Sequence, residues 1–326
     1  MTRRFINELG ENETLDQVFR VQSKRLRSNR NGNLYLQMDL ADRSGAVNAM
    51  LWNANQRLFG SFETGEYLRV HGTTQFYNGN LQLILNRIAV APRDQVDEAD
   101  FSTLDHNRIE QLQKRLSEIL RNLENHHLRS LAETFLSDEH FMSRFMVAPA
   151  GISNHHAYPG GLLHHVVDLL ELVSVVAPRY PDIDAELLLM GAFLHDIGKV
   201  DELTYDRELA YSDAGQLMGH LVMGVEILTV KIAEAEALVG DAFPEQLSLA
   251  LKHMIISHHG QYEFGSPKLP MTLEAMALHH LDNLDAKLHS VLEILRSEAG
   301  GASSWTAFQP ALGRKIYRGI GPAEVE

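Results

Sequence analysis

The chain contains no cysteine among its 326 residues. Disulfide staples, thiolate nucleophiles and cysteine-ligated zinc are therefore excluded together. Long apolar runs are missing too. Nothing approaches 18 uninterrupted apolar residues, and the opening MTRRFINELGENE lacks the apolar stretch of a signal peptide. These two absences predict a cytoplasmic protein with no membrane partner. Cations are scarce, 29 Lys and Arg against 43 Asp and Glu for a net charge of −14, which at first argues against a nucleic-acid binder. Their distribution reverses that reading: residues 1–93 carry +4 and the remainder −18, so an acidic second part conceals a mildly basic first one. Histidine, by contrast, is plentiful, with 17 residues concentrated after residue 125.

From Leu15 to Val90 the pattern is mostly strand-like. Val18–Leu26 predicts a first strand and Asn31–Gly32 a turn. Leu34, Leu36, Met38 and Leu40 then alternate with Tyr35, Gln37 and Asp39, the period-2 signature of a half-buried strand. Ala46–Trp52 follows the Ser44–Gly45 turn as a third strand, and Asn53–Phe59 reads as a short helix. Tyr67–Phe76 and Leu81–Ile88 form a final pair around Asn78–Gly79. Five short strands with a helical insert after the third suit a small closed barrel, because closure alone removes exposed edges. The order resembles an OB-fold. Such barrels bind single strands through basic and aromatic side chains, and Arg25, Arg27, Tyr35, Trp52, Phe76 and Tyr77 are candidates. The competing assignment places Trp52 and Phe76 in the core and leaves the arginines solvated.

Pro92 to Thr103 is polar and acidic, as a linker would be. From about Leu104 the period becomes helical, with Ile109, Leu112, Leu116, Ile119, Leu120 and Leu123 along one stripe. Leu128–Leu136, Glu139–Met146, Leu162–Val176, Ala185–Leu194, Gly219–Leu238, Gln246–Ser257 and Thr272–Leu295 predict further helices, the last with Thr272 as N-cap. Ala148–Gly161 reads as a loop carrying His155–His156. The expected division is residues 1–92 as an OB-fold nucleic-acid-binding domain, 93–125 as linker and connecting helix, and 126–326 as an all-α domain.

His195–Asp196 closes the apolar segment Leu187–Leu194 and leads into Ile197–Gly198–Lys199. Two polar residues in a buried run need partners, because unpaired polar groups there are costly. Similar anomalies recur at His165, His220, His258–His259 and Asp282, each on a different predicted element or element end. Convergence of such residues from several helices is how helical folds build metal sites. Asp285 rivals Asp282 within the same helix, and any single histidine here could be an ordinary hydrogen-bonded core residue.

This pattern resembles the HD-domain metal-dependent phosphohydrolase superfamily, whose signature is carried by His165, His195–Asp196 and Asp282. A closer resemblance is to the YhaM-type 3′–5′ exoribonucleases, which join an OB domain to an HD domain. It rests on HHAYPGGLLHHV (155–166), FLHDIGKV (193–200), MGHLVMG (218–224), ISHHGQYEFGSPKLP (256–270), LHHLDNLDAK (278–287) and WTAFQPALGRKIYRG (305–319). The resemblance implies that His165, His195, Asp196 and Asp282 hold one ion, and that Asp196, His220, His258 and His259 hold a second. Imidazole and carboxylate ligands suit Mn²⁺, Fe²⁺, Co²⁺ or Zn²⁺ better than Mg²⁺. The family favours Mn²⁺, with one or two ions per chain. Such ions activate water and polarise a phosphate oxygen. Lys199 would then donate to the phosphate, and His155 or His156 would contact the terminal nucleotide or assist the leaving group.

The implied substrate is single-stranded RNA, cut from its 3′ end to nucleoside 5′-monophosphates, with single-stranded DNA as the other candidate. Two alternatives stand beside it. One is an HD-domain phosphodiesterase acting on small or cyclic nucleotides; however, HD-GYP enzymes continue His-His-Glu, whereas His258–His259 are followed here by Gly260. The other is a non-enzymatic single-strand-binding protein. The apolar helices also leave room for a homo-oligomer.

Overall fold

A computed structural model describes residues 3–77, 80–92, 96–97, 100–101, 104, 106–152, 156–205, 210–297 and 303–319. They fall into two compact units, Met1–Thr103 with Ser290–Glu326, and Leu104–His289.

In the first unit, strands β1 (Thr14–Ser28), β2 (Leu34–Asp42), β3 (Gly45–Trp52), β4 (Tyr67–Tyr77) and β5 (Asn80–Val90) close into an OB-type barrel of order β1-β2-β3-β5-β4. A one-turn helix, α1 (Gln56–Phe59), follows β3, with Asn55 capping it through Leu58 N. β1 serves two neighbours. Thr14–Arg20 pairs with β4, Arg20–Ser28 pairs with β2, and a bulge between Val21 and Ser23 bends the strand between them. The parallel pair Asn48–Leu51 with Gln82–Leu85 completes the closure. Alternation fills the interior, as expected of a pleated strand: Phe19, Leu36, Met38, Leu40, Leu68, Val70 and Leu83 are fully buried there. Leu34, the first of the alternating leucines, is exposed at the start of β2.

The second unit is helical: α2 (His106–Arg121), α3 (His126–Leu136), α4 (Glu139–Phe145), α5 (Gly161–Val176), α6 (Ala185–Leu194), α7 (Lys199–Glu202), α8 (Asp213–Val239), α9 (Glu245–Ser257) and α10 (Leu273–Ser297, which runs past the unit's end). One small departure is an antiparallel pair of two-residue strands, β6 (Leu203–Thr204) and β7 (Ala210–Tyr211). Asn125, Asp138, Asp184 and Ser212 cap α3, α4, α6 and α8 by accepting bonds from first-turn amides. α6 is apolar on nearly every face because it occupies the centre of the core, and α5 packs beside it with one polar stripe of His164, Asp168 and Glu171 turned outward. Leu162, Leu163, Val166, Leu169, Leu170, Leu188, Met190, Phe193 and Leu194 are all fully buried. The stretch Gly161–Arg179 is long and apolar enough to cross a membrane, but here it is this core helix.

Candidate functional site

The sequence brings its polar residues to helix ends, where the backbone can turn them toward one point. α6 stops at Leu194, His195 is its C-cap, and a turn closed by Lys199 N donating to Asp196 O leads into α7. Leaving the helix lets adjacent His195 and Asp196 face the same space, which neighbours about 100° apart on a helix do not. Gly198 permits α8 to approach, since a Cβ there would lie 2.1 Å from His220 O. Gly219 (φ 72°, ψ 157°) then interrupts α8, so that His220 opens a fresh helical segment. Glu202 caps this break, its Oε1 accepting from both His220 N and His220 Nδ1 at 3.0 Å. His258 is the C-cap of α9 and His259 follows it. His165 and Asp282 project from α5 and α10.

Five imidazoles share one orientation. Nδ1 of His195, His258 and His259 lies 2.8, 2.8 and 2.9 Å from the carbonyl oxygens of Ala192, Ile255 and Phe264. His165 Nδ1 lies 2.8 Å from Asp285 Oδ2, and His220 uses Glu202 as above. Every one of these partners is an acceptor, so each Nδ1 carries a proton and each Nε2 is the nitrogen turned inward, available to a cation. Four of those Nε2 atoms surround Asp196. His195 and His165 stand 3.3 and 3.9 Å from its Oδ2; His220 and His258 stand 3.5 and 3.6 Å from its Oδ1. Asp282 Oδ1 is 3.3 Å from His165 Nε2, and His259 Nε2 is 3.2 Å from His220 Nε2.

Two observations test whether these residues fit a divalent metal. Asp196 Oδ1 is buried and has no hydrogen-bond partner. The neutral rings of His220 and His259 face each other nitrogen to nitrogen at 3.2 Å. A bare pair of lone pairs repels, whereas 3.2 Å suits two nitrogens sharing one cation at about 2.1 Å each. The donor set fits. Within this cluster, three groups of ligand atoms lie close enough to share an ion: His165–His195–Asp282, His195–Asp196–His258 and His220–His258–His259.

The electrostatics agree. Burial alone would raise the Asp196 carboxyl, but Lys199 and the neighbouring imidazoles prevail and hold it well below the usual carboxylate range. Burial likewise opposes ionisation of Asp282, and its bond to His165 overrides that, lowering it. Burial lowers His220 and His258, and brings His259 to about 4, so these rings are neutral and ready to ligate at pH 7. His165 is the exception. Burial would lower it, but Asp282 and Asp285 raise it to about 10, marking the place where a cation would displace a proton.

Of the remaining predicted residues, Lys199 begins α7 and places Nζ 2.6 Å from Asp196 Oδ2, beside the cluster. His156 is fully buried behind it, with Nδ1 2.8 Å from Tyr158 Oη and Nε2 3.7 Å from Asp285 Oδ2. Burial pulls its pKa to about 3. His155 lies outside the described residues, as does the Asn78–Gly79 turn. Asp285 does not replace Asp282 but stands behind His165. Glu202 was not anticipated. An acidic residue in a short polar stretch carries no local signal that its partner lies eighteen positions away.

On the barrel, Arg27, Tyr35 and Trp52 occupy directly paired positions on β1, β2 and β3, and Arg25 pairs with Gln37 in the next outward row. Arg25 and Arg27 are exposed, Trp52 is 45% exposed, and its ring lies 5.1 Å from that of Tyr35. Phe76, half-buried on β4, shares a strand face with buried Thr74 and lies outside that row, while Tyr77 is exposed.

Two family models match the chain: the HD domain over residues 162–287 and an OB-fold nucleic acid binding domain over residues 19–91. The 3′-5′ exoribonuclease YhaM of Bacillus subtilis is 35% identical over 285 residues, covering 87% of this chain and 88% of that protein. Its counterpart in Bacillus velezensis is 34% identical over 285 residues, covering 87% of each. Among solved structures, the second OB-fold domain of replication protein A from Methanococcus maripaludis covers 28% of this chain and 95% of its own, at 20% identity and a TM-score of 0.23. The chain therefore belongs to the YhaM family of 3′-5′ exoribonucleases.

Proposed function

We propose that this protein hydrolyses single-stranded RNA from its 3′ end, releasing nucleoside 5′-monophosphates, in a reaction that depends on a divalent metal. The observation that carries the reading is the convergence of four Nδ1-anchored imidazoles on the two oxygens of Asp196, with a fifth, His259, set against His220. His165, His195, Asp196 and Asp282 would hold one ion, and Asp196, His220, His258 and His259 a second. Bound there, the metal would supply an activated water at neutral pH and polarise the scissile phosphate. The mixed imidazole and carboxylate donors suit manganese, iron, cobalt or zinc, and the family resemblance favours manganese among them.

The chain's own groups do the rest. Lys199, kept cationic by Asp196 against the cost of burial, brings positive charge beside the cluster. That charge would stabilise the phosphorane-like transition state more than the substrate. The Arg27–Tyr35–Trp52 row supplies a stacking platform with a cation at its edge, suited to unpaired bases. A small or cyclic nucleotide would leave that row unused. A product time course on 5′-labelled, 3′-labelled and 3′-blocked RNA and DNA, with each divalent metal in turn, tests the proposal. Mononucleotides released from an open RNA 3′ end, and none from a blocked one, are expected. Internal cuts, or no shortening with any metal, would refute it.

A further inference from the structure

Residues 303–319 are a separate feature that neither the barrel face nor the metal centre uses. The segment contains three basic residues, Arg314, Lys315 and Arg318, and no acidic one, within a stretch of chain after residue 93 whose net charge is −18. It also holds three aromatics, Trp305, Phe308 and Tyr317, each about half exposed at 49, 57 and 52%. Isolated exposed aromatics are ordinary. Three of them among cations on a tied backbone are not.

The backbone is tied as a hairpin. Thr306 N donates to Ile316 O at 2.9 Å, Gln309 N to Arg314 O at 2.9 Å and Arg318 N to Ser304 O at 2.8 Å. The turn is a 3₁₀ step at Pro310–Leu312 ended by Gly313 at φ 63°. Inside, the side chain of buried Thr306 accepts from Ile316 N at 2.9 Å, locking the two arms together. The bridge Trp305–Tyr317 sets these two rings side by side, centroids 5.0 Å apart. Arg314 and Lys315 are exposed just past the turn. The hairpin belongs to the same compact unit as the barrel.

We propose that this hairpin is a second contact surface for single-stranded RNA, additional to the barrel face. The inference deepens the exoribonuclease reading and rests on it for the identity of the polymer. Bases offer π-faces to Trp305 and Tyr317, and the phosphates between them offer charge to Arg314 and Lys315. A protein partner would have to match the same aromatics while tolerating a segment with three cations and no carboxylate of its own. A flexible polyanion does both by its nature.

The test uses the full-length chain carrying Asp196→Asn, so that RNA is not consumed, and an unstructured 5′-labelled RNA followed by fluorescence anisotropy. Trp305→Leu with Tyr317→Leu should weaken binding at least about tenfold, and Trp305→Phe with Tyr317→Phe should restore most of it, because stacking needs only a ring. Arg314→Gln with Lys315→Gln, at exposed positions that do not threaten folding, should flatten the dependence of log Kd on log salt by about 1.4. Unchanged affinity in the leucine pair together with an unchanged salt slope in the glutamine pair would overturn the proposal. So would altered self-association with RNA affinity intact, which would assign the surface to a second copy of the chain. A parent chain that binds RNA normally yet never shortens it would instead refute the exoribonuclease reading alone.

Discussion

Asp285 Oδ2 lies 2.8 Å from His165 Nδ1, so this carboxylate decides which nitrogen of His165 faces the cluster. Removing such an outer partner typically costs 10- to 100-fold, roughly, in metal affinity or activity. Asp285→Ala should therefore raise the metal concentration for half-maximal activity by about that factor, with activity recovering at high metal. Asp285→Asn, whose amide oxygen can still accept from Nδ1, should be milder. Identical metal titrations for all three proteins would show that His165 needs no such anchor.

Asp196 is the only carboxylate within 4 Å of imidazoles from both halves of the cluster among the described residues. Asp196→Asn should abolish hydrolysis of RNA and of a simple aryl phosphodiester alike, and lower the bound metal measured by elemental analysis. RNA affinity should persist through the barrel face. Turnover surviving in a preparation free of contaminating nuclease would contradict the central assignment.

Gly198 is tolerated only because it has no side chain. A methyl group 2.1 Å from His220 O would push α8 away from the α6–α7 turn. Gly198→Ala should cost about 1–3 kcal/mol, as overpacking usually does, and displace His220 enough to reduce activity in the folded fraction. Thermal unfolding and activity at a temperature where the variant is fully folded separate the two effects. An unaltered melting temperature would mean that α8 has room to give.

The row on the barrel should matter for polymer and not for chemistry. Trp52→Ala is expected to weaken single-stranded RNA binding by about 1–3 kcal/mol, and Arg27→Gln to reduce its salt dependence. Hydrolysis of an aryl phosphodiester serves as the comparison, because it makes no use of stacking. Equal loss on both substrates would sink the division of labour between the two units.

Lys231, nearly buried on α8, gives its ammonium to Asp138 Oδ2 and Glu234 Oε2 at 2.7 Å and to Thr134 O at 3.2 Å. The bond to Lys231 lowers the Asp138 pKa below its ordinary 3.8, so its contribution to stability is present above that value and fades as pH falls through the lowered one. Burial would lower Lys231, but Asp138 and Glu234 raise it above 10.5, so its contribution is lost only as pH climbs past that raised value. Lys231→Met should cost about 1–3 kcal/mol at pH 7. Denaturant titrations should show the difference narrowing below about pH 4. A pH-independent difference would place the effect in packing.

Much of this arrangement was legible locally. The alternation of Leu36, Met38 and Leu40 marked β2, and Thr272 does cap α10, accepting from Ala275 N at 3.1 Å. Where local pattern misplaced an edge, a distant partner had moved it. The first strand begins at Thr14, before the expected Val18, because Thr14–Gln17 pairs with β4 more than fifty residues away. The predicted helix opens at Gly219; instead α8 starts at Asp213, and Gly219 is a break inside it, held by Glu202 from another element.

The sequence by itself determined the kinds of ligand: histidines and aspartates at the ends of apolar helices, in motifs spaced widely enough that only a folded core could gather them. It also determined the two modules, through a change of period from two to about 3.6. The tertiary structure decided which atoms of those residues meet. A histidine's tautomer is set by whatever acceptor its other nitrogen finds, and for His165 that acceptor is Asp285, 120 positions away. For His220 it is Glu202, which no motif singled out. Side-chain identity is written locally, but the direction of a lone pair is fixed by a hydrogen bond that exists only once the chain has folded.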